Sequence, residues 1–326
     1  MLYNNVVLIL LIVSWLCSVG SFTVVASKRS IKSHITGGYK NSLAKKNASQ
    51  LDCSQVNNDY DVLRQFPFPI LVNPIELVFD QSTATMDENN TFVKKIYIYQ
   101  EEVVPSSVFC LSKLQALHIE MTPFQNGIVP DTLANLKLLR NFWIYNSPIF
   151  KMSEQLETLT NLLAIVFRNC SLTHLPKFSK LERLWNIDLF GNRLSEIDEI
   201  PSVLLINLRG NRFKKLPIIK KRENVTHVDM GNNPLENIES ITSYINLEGL
   251  SLSNTNLTSI SPAIGKLQKL THLDLSNNQL SYFPRHILDL PHLEELNITN
   301  NLFSSEEIQL IQKEFGTSHP NAELIV

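Results

Sequence analysis

The sequence predicts a repeat architecture, an array of short units stacked along one axis. Three observations predict it. One eleven-position apolar frame recurs at spacings of 19 to 25 residues through most of the chain. The centre of each copy places apolar residues two apart, the period of a strand. The segments before and after the array lack the frame, as the closed ends of an open stack would. Self-similarity at a fixed period in the twenties marks stacked supersecondary units.

The elements follow in chain order. Residues 1–26 hold no charge; 6–16 are apolar, and Val24-Val25-Ala26 offers a small-residue cleavage site. This predicts a secretory signal peptide. The alternative runs the apolar stretch over 6–26 as an uncleaved anchor. Lys28 and Arg29 would then favour a cytoplasmic body. Segment 27–50 carries Lys28, Arg29, Lys32, Lys40, Lys45 and Lys46 and no acid, and is expected to be a basic disordered linker. Residues 51–92 contain apolar residues but no frame, and are expected to form an N-terminal cap.

Over 93–303 the frame L-x-x-L-x-L-x-x-N-x-L starts at Leu114, Leu139, Leu162, Leu184, Val203, Val225, Leu247, Leu270 and Leu293, with a degenerate tenth copy from Val93. The fourth and sixth positions (Leu273 and Leu275 in the copy from Leu270) point inward, and the first and eleventh fill the core at the turns. The ninth is Asn in five copies: Asn192, Asn211, Asn233, Asn278 and Asn301. A buried Asn there can satisfy backbone groups where the chain leaves the strand.

This pattern resembles the leucine-rich repeat family. The resemblance implies an α/β fold: a curved, horseshoe-shaped solenoid with a parallel β-sheet on its concave face. Ten strands at about 4.8 Å spacing would line an arc of about 45 Å. Cys170 takes the ninth position in its copy, so a buried ladder role is expected for it, leaving Cys53 and Cys110 as the expected disulfide. Residues 304–326 are expected to close the array with a helix and an edge strand. Ser304-x-x-Glu307 is a capping box, Ile308, Ile311 and Phe315 follow at helical spacing, and Gly316 suits a stop.

Composition narrows the function classes. The whole chain has net charge -2, and removing the basic residues of 27–50 leaves 51–326 with 23 basic against 31 acidic residues, or -8. An acidic body argues against a nucleic-acid partner. No phosphate loop, nucleophile elbow, zinc-binding H-E-x-x-H or C-x-x-C occurs, so no enzyme, cofactor or metal site is expected. His227 and His272 share a frame position two copies apart, too far for a shared metal. Asp188, Asp229 and Asp274 recur at the fifth position and read as a solvated stripe. Candidate glycosylation sites are Asn47, Asn89, Asn224 and Asn256.

The third, fifth and seventh positions face the concavity. At the fifth and seventh, the copies from Val225 onward carry only Asp, Ser, Asn, Gly and Thr, whereas the first copies carry Tyr97, Tyr99, His118, Trp143, Tyr145, Arg168, Phe190 and Arg209. Aromatics and Arg are enriched in interface hot spots. These eight are the candidate ligand-binding residues. The resemblance implies a recognition or adhesion module without catalysis, binding a protein or glycoprotein partner through the concave face. A membrane-anchored scaffold is the alternative.

Overall fold

The computed structural model describes Cys53, Val56 and residues 58–72, 80–236 and 238–326. The expected signal peptide, the basic segment and Asn47 lie outside the described residues. The ten frame copies each supply one strand of a single sheet. These are β3 (Val93–Tyr99), β4 (Ala116–Glu120), β5 (Asn141–Tyr145), β6 (Ala164–Arg168), β7 (Asn186–Asp188), β8 (Leu205–Asn207), β9 (His227–Asp229), β10 (Gly249–Ser251), β11 (His272–Asp274) and β12 (Glu295–Asn297). They pair in parallel and in sequence order, each copy matched to the next position for position, as in Phe142↔Ile165 and Leu250↔Leu273. All twenty fourth- and sixth-position side chains are buried, from Ile96 and Ile98 to Leu296 and Ile298. They form one continuous apolar core with the residues at the turns.

Both ends add strands. β1 (Leu71–Val72) and β2 (Thr83–Met86) precede the array, and β2 pairs antiparallel with β3. A short helix, α1 (Asp59–Leu63), lies just ahead of them, and Asp59 accepts the backbone N–H of Val93. Cys53 and Cys110 form a disulfide across 57 residues of sequence, tying the pre-repeat segment to the first copies. At the other end β13 (Glu323–Ile325) pairs with β12.

The C-terminal helix, α2 (Ser305–Ser318), buries Ile311 and Phe315. Ser304 accepts the N–H of Glu307, but the reciprocal half of the capping box is absent. The Glu307 carboxylate instead receives Arg285 and the N–H of Phe283. Arg285 also reaches Glu314, so one guanidinium clamps the helix to the last repeats. Gly316 does not end the helix. The chain leaves it at His319, a buried residue whose ring stacks on Phe315 and bonds the carbonyl of Leu290.

The ninth-position Asn residues work as backbone substitutes. Asn192 accepts N–H groups from Cys170 and Leu172 and donates to the carbonyls of Phe167 and Leu189. Asn211, Asn233, Asn278 and Asn301 repeat this pattern. Cys170 occupies the same place with a buried thiol, and burial pushes its pKa up to about 12. A thiol so far from ionisation has no nucleophilic role.

The eighth position is a feature that the frame left unread. In all ten copies it has positive φ: Gln100, Met121, Asn146, Asn169, Gly191, Gly210, Asn232, Asn254, Asn277 and Asn300. Gly and Asn accept the left-handed region most readily, which explains why they fill eight of the ten places.

Candidate functional site

The concave face divides at β6. From β3 to β6 the strands run through the seventh position, so Tyr97, Tyr99, His118, Glu120, Trp143, Tyr145 and Arg168 all project from regular sheet. Their rings touch: Tyr97 and His118 centroids lie 4.5 Å apart, His118 and Tyr145 5.0 Å, and His118 and Trp143 5.6 Å. His118 is the hub of this cluster.

The eight candidate residues do not stand equally. Tyr97 and His118 are expected to project as contact residues, but they are only 1% and 7% exposed. Tyr97 is enclosed by neighbouring rings and donates its hydroxyl proton to Glu120 at 2.8 Å. Burial first, then that bond, raises its pKa, so the phenol stays protonated. Burial pushes the His118 imidazole down to about 4; Glu120 Oε2, 3.9 Å away, does not reverse this. Both residues form the base on which the cluster stands. Tyr99, Trp143, Tyr145 and Phe190 remain half-buried and offer their outer surfaces. Burial also moves the Tyr145 phenol up to about 12.

The two arginines are engaged within the fold. Arg168 grips Asp188 through Nε at 2.8 Å and through Nη2. Arg209 lies flat across Gly231 and donates to Ser253 Oγ at 2.8 Å, two repeats away, with Asp229 at 3.8 Å. A Cβ on Gly231 would sit 2.5 Å from Arg209 Nη1, so glycine is required there for this crossing. The guanidinium of Arg209 is therefore occupied by the protein itself.

The aspartates are not the solvated stripe expected from the sequence. Asp188, Asp229 and Asp274 are buried, and each accepts the N–H two residues on. Burial pushes Asp229 up to about 6 against the pull of Arg209. Among the described residues no group of three or more side chains gathers as a metal site. His227 and His272 flank Gly249, and burial, then His272, lowers His227 to about 4.

Asn186 is a site residue that sequence reasoning missed. It is the first residue of β7, at the third frame position, beside Ala164 and two strands from Asn141, on the same face as Trp143. The available signal was a carboxamide at a concave frame position next to the small Ala164. Of the expected glycosylation sites, Asn89, Asn224 and Asn256 are exposed.

Comparison with known proteins agrees with this geometry. A leucine rich repeat family model matches residues 245–303. The array has the leucine-rich repeat fold. No curated protein matches it. Among solved structures, the TLR13–ssRNA13 complex aligns at TM-score 0.57 and 21% identity, over 74% of this chain and 39% of that one. The leucine-rich repeat domain of APL1B aligns at 0.53 and 23%, over 62% and 60%. The PEPR1–AtPEP1 complex aligns at 0.51 and 20%, over 67% and 40%. The chain spans less than two thirds of each of these three, and the likeness is one of fold. No described helix is long and apolar enough to cross a membrane.

Proposed function

We propose that this chain is a secreted recognition module that binds a protein partner through the aromatic half of its concave face. Tyr99, Trp143, Tyr145 and Phe190 make the contact, and Tyr97 and His118 hold them in place. One observation carries the reading: four rings from three adjacent strands pack together in one cluster, His118 meeting Trp143 edge to face and Tyr97 and Tyr145 at a tilt, and its outer members stay open. Such rigid aromatic groups are the usual anchors of protein interfaces. Tyr145 also lies beside Arg168 in register, which adds a polar rim.

Two further features support the placement. The Cys53–Cys110 disulfide fits an oxidising compartment. The charge of -8 over 51–326 disfavours a nucleic-acid partner, although TLR13 is solved with RNA. In this reading residues 1–26 are a cleaved signal, 27–50 a linker, 51–92 and 304–326 caps, and Asn89, Asn224 and Asn256 candidate glycan sites. N-terminal sequencing of the mature protein tests secretion: a start near Ser27 is expected, and an intact Met1 overturns it. Affinity capture tests the surface. The Trp143→Ala/Tyr145→Ala protein should lose its partners while keeping its melting temperature within a few degrees. Equal capture by the folded variant overturns the site.

A further inference from the structure

Two buried hydrogen-bond donors on the concave face have no partner among the described residues: Trp143 Nε1 and Asn186 Nδ2. Native proteins pair the great majority of buried polar atoms, so two such atoms close together require a reason. They stand at diagonal corners of one patch. In its upper row Trp143 pairs with Val166, and Val166 with Asp188; in its lower row Asn141 pairs with Ala164, and Ala164 with Asn186. Ala164 and Val166 form a small apolar floor between the two donors, each 1% exposed. Asn186 is itself only 4% exposed.

We infer that this patch is a subsite for an extended peptide segment of the partner, whose main-chain carbonyl oxygens accept from Trp143 Nε1 and Asn186 Nδ2. The inference rests on the proposal that a protein partner engages this face. Its chemistry follows from what the patch lacks. An indole nitrogen can only donate, and so can the nitrogen of a carboxamide, so the ligand must bring acceptors. Those acceptors are neutral. The nearest cation, Arg168, is bound to Asp188, and the Asp188 carboxylate at the patch edge repels an anion. The donor-bearing residues are two strands and two residues apart, about 10 Å by about 7 Å at the backbone. Carbonyls on one edge of an extended chain repeat at about 7 Å, so the two donors, about 12 Å apart at the backbone along the diagonal, would meet different carbonyls of one segment.

The test uses the full chain labelled with 15N at tryptophan, titrated with the neutral peptide N-acetyl-triglycine N-methylamide. The Trp143 indole resonance is assigned by its loss in Trp143→Phe. It should move downfield and saturate, while the Trp185 resonance stays in place. Asn186→Leu should raise the half-saturating concentration at least five-fold. Asn186→Asp has the same shape without the N–H, and serves if the leucine variant does not fold. No saturable shift, or an equal shift in the Asn186 variants, overturns the inference. A shift with N-acetylglucosamine but not with the peptide overturns the peptide assignment. Trp143→Phe also separates this subsite from the aromatic surface, because it keeps a ring and loses the donor. If Trp143→Phe captures partners like wild type while Trp143→Ala/Tyr145→Ala does not, the subsite fails and the surface stands. If the alanine pair captures partners normally, the surface fails.

Discussion

The two halves of the sheet share one core and differ in how far their strands run. β3 to β6 span five to seven residues, whereas β7 to β12 span three. The cause lies in two side chains. In the short half the fifth position is mostly Asp or Asn, whose Oδ1 takes the N–H of the seventh residue, as Asp188 does for Phe190 and Asn207 for Arg209. The ninth-position Asn takes the sixth-position carbonyl of the preceding copy, as Asn211 does with Leu189. The two side chains occupy the donor and the acceptor that would continue the ladder, so the strand stops. In the long half the fifth position is Tyr97, His118, Trp143 or Val166, and the ninth is Thr122, Ser147 or Cys170. The ladder runs on and carries the seventh-position side chains out on regular sheet. The difference teaches that the aromatic surface and the longer strands have one origin, the residue at the fifth position.

The comparison can be broken or sharpened in order of effect. The largest effect should be common to both halves. Phe167 is fully buried and meets Phe142 at 5.2 Å, so Phe167→Ala should cost about 3–5 kcal/mol. Chemical denaturation should still show one transition; two transitions would mean that the halves unfold separately. Next comes acid sensitivity, carried by His118 in the aromatic half and by His227 in the other. The folded pKa of His118, about 4, lies below its unfolded value of about 6.5. Its contribution is therefore complete above about pH 6.5 and is lost as pH falls toward 4. His118→Gln should flatten the melting curve against pH over that window by the equivalent of about 2–3 kcal/mol. Asp229, raised to about 6, acts oppositely in the other half, favouring the fold as pH falls from 6 toward 4. Asp229→Asn should therefore steepen the acid loss.

The ladder residues give a smaller contrast. Asn233→Ala leaves the carbonyl of Met230 and the N–H of Phe213 without their partner and takes one of two donors from the carbonyl of Leu208, for about 2–3 kcal/mol. Ser147→Ala removes two bonds, to Thr122 and Tyr145, for about 1 kcal/mol. Equal losses in urea titrations would undo the claim that the Asn ladder does more than its Ser and Thr counterparts. Smallest is the eighth position. Met121 holds φ 50°, which suits Asn better, so Met121→Asn should stabilise by about 0.5–1 kcal/mol. Asn254→Gly in the other half should change little, and differential scanning calorimetry can resolve the pair.

The sequence by itself determined the repeat, the inward residues, the Asn ladder and the helix that closes the array. These follow from local patterns whose period matches the stacking, so each copy reports the same geometry. It also separated the aromatic copies from the polar ones, because frame position decides which face a strand residue takes. Three things were decided only by the tertiary structure. Tyr97 and His118 are buried because rings from adjacent strands close over one another, and no single copy contains that contact. Arg168 and Arg209 turn inward because Asp188, Asp229 and Ser253 come from other repeats, and Gly231 leaves the space. Trp143 and Asn186, 43 residues apart in the sequence, share one patch only because parallel pairing places β5 and β7 on either side of a strand with a small apolar face.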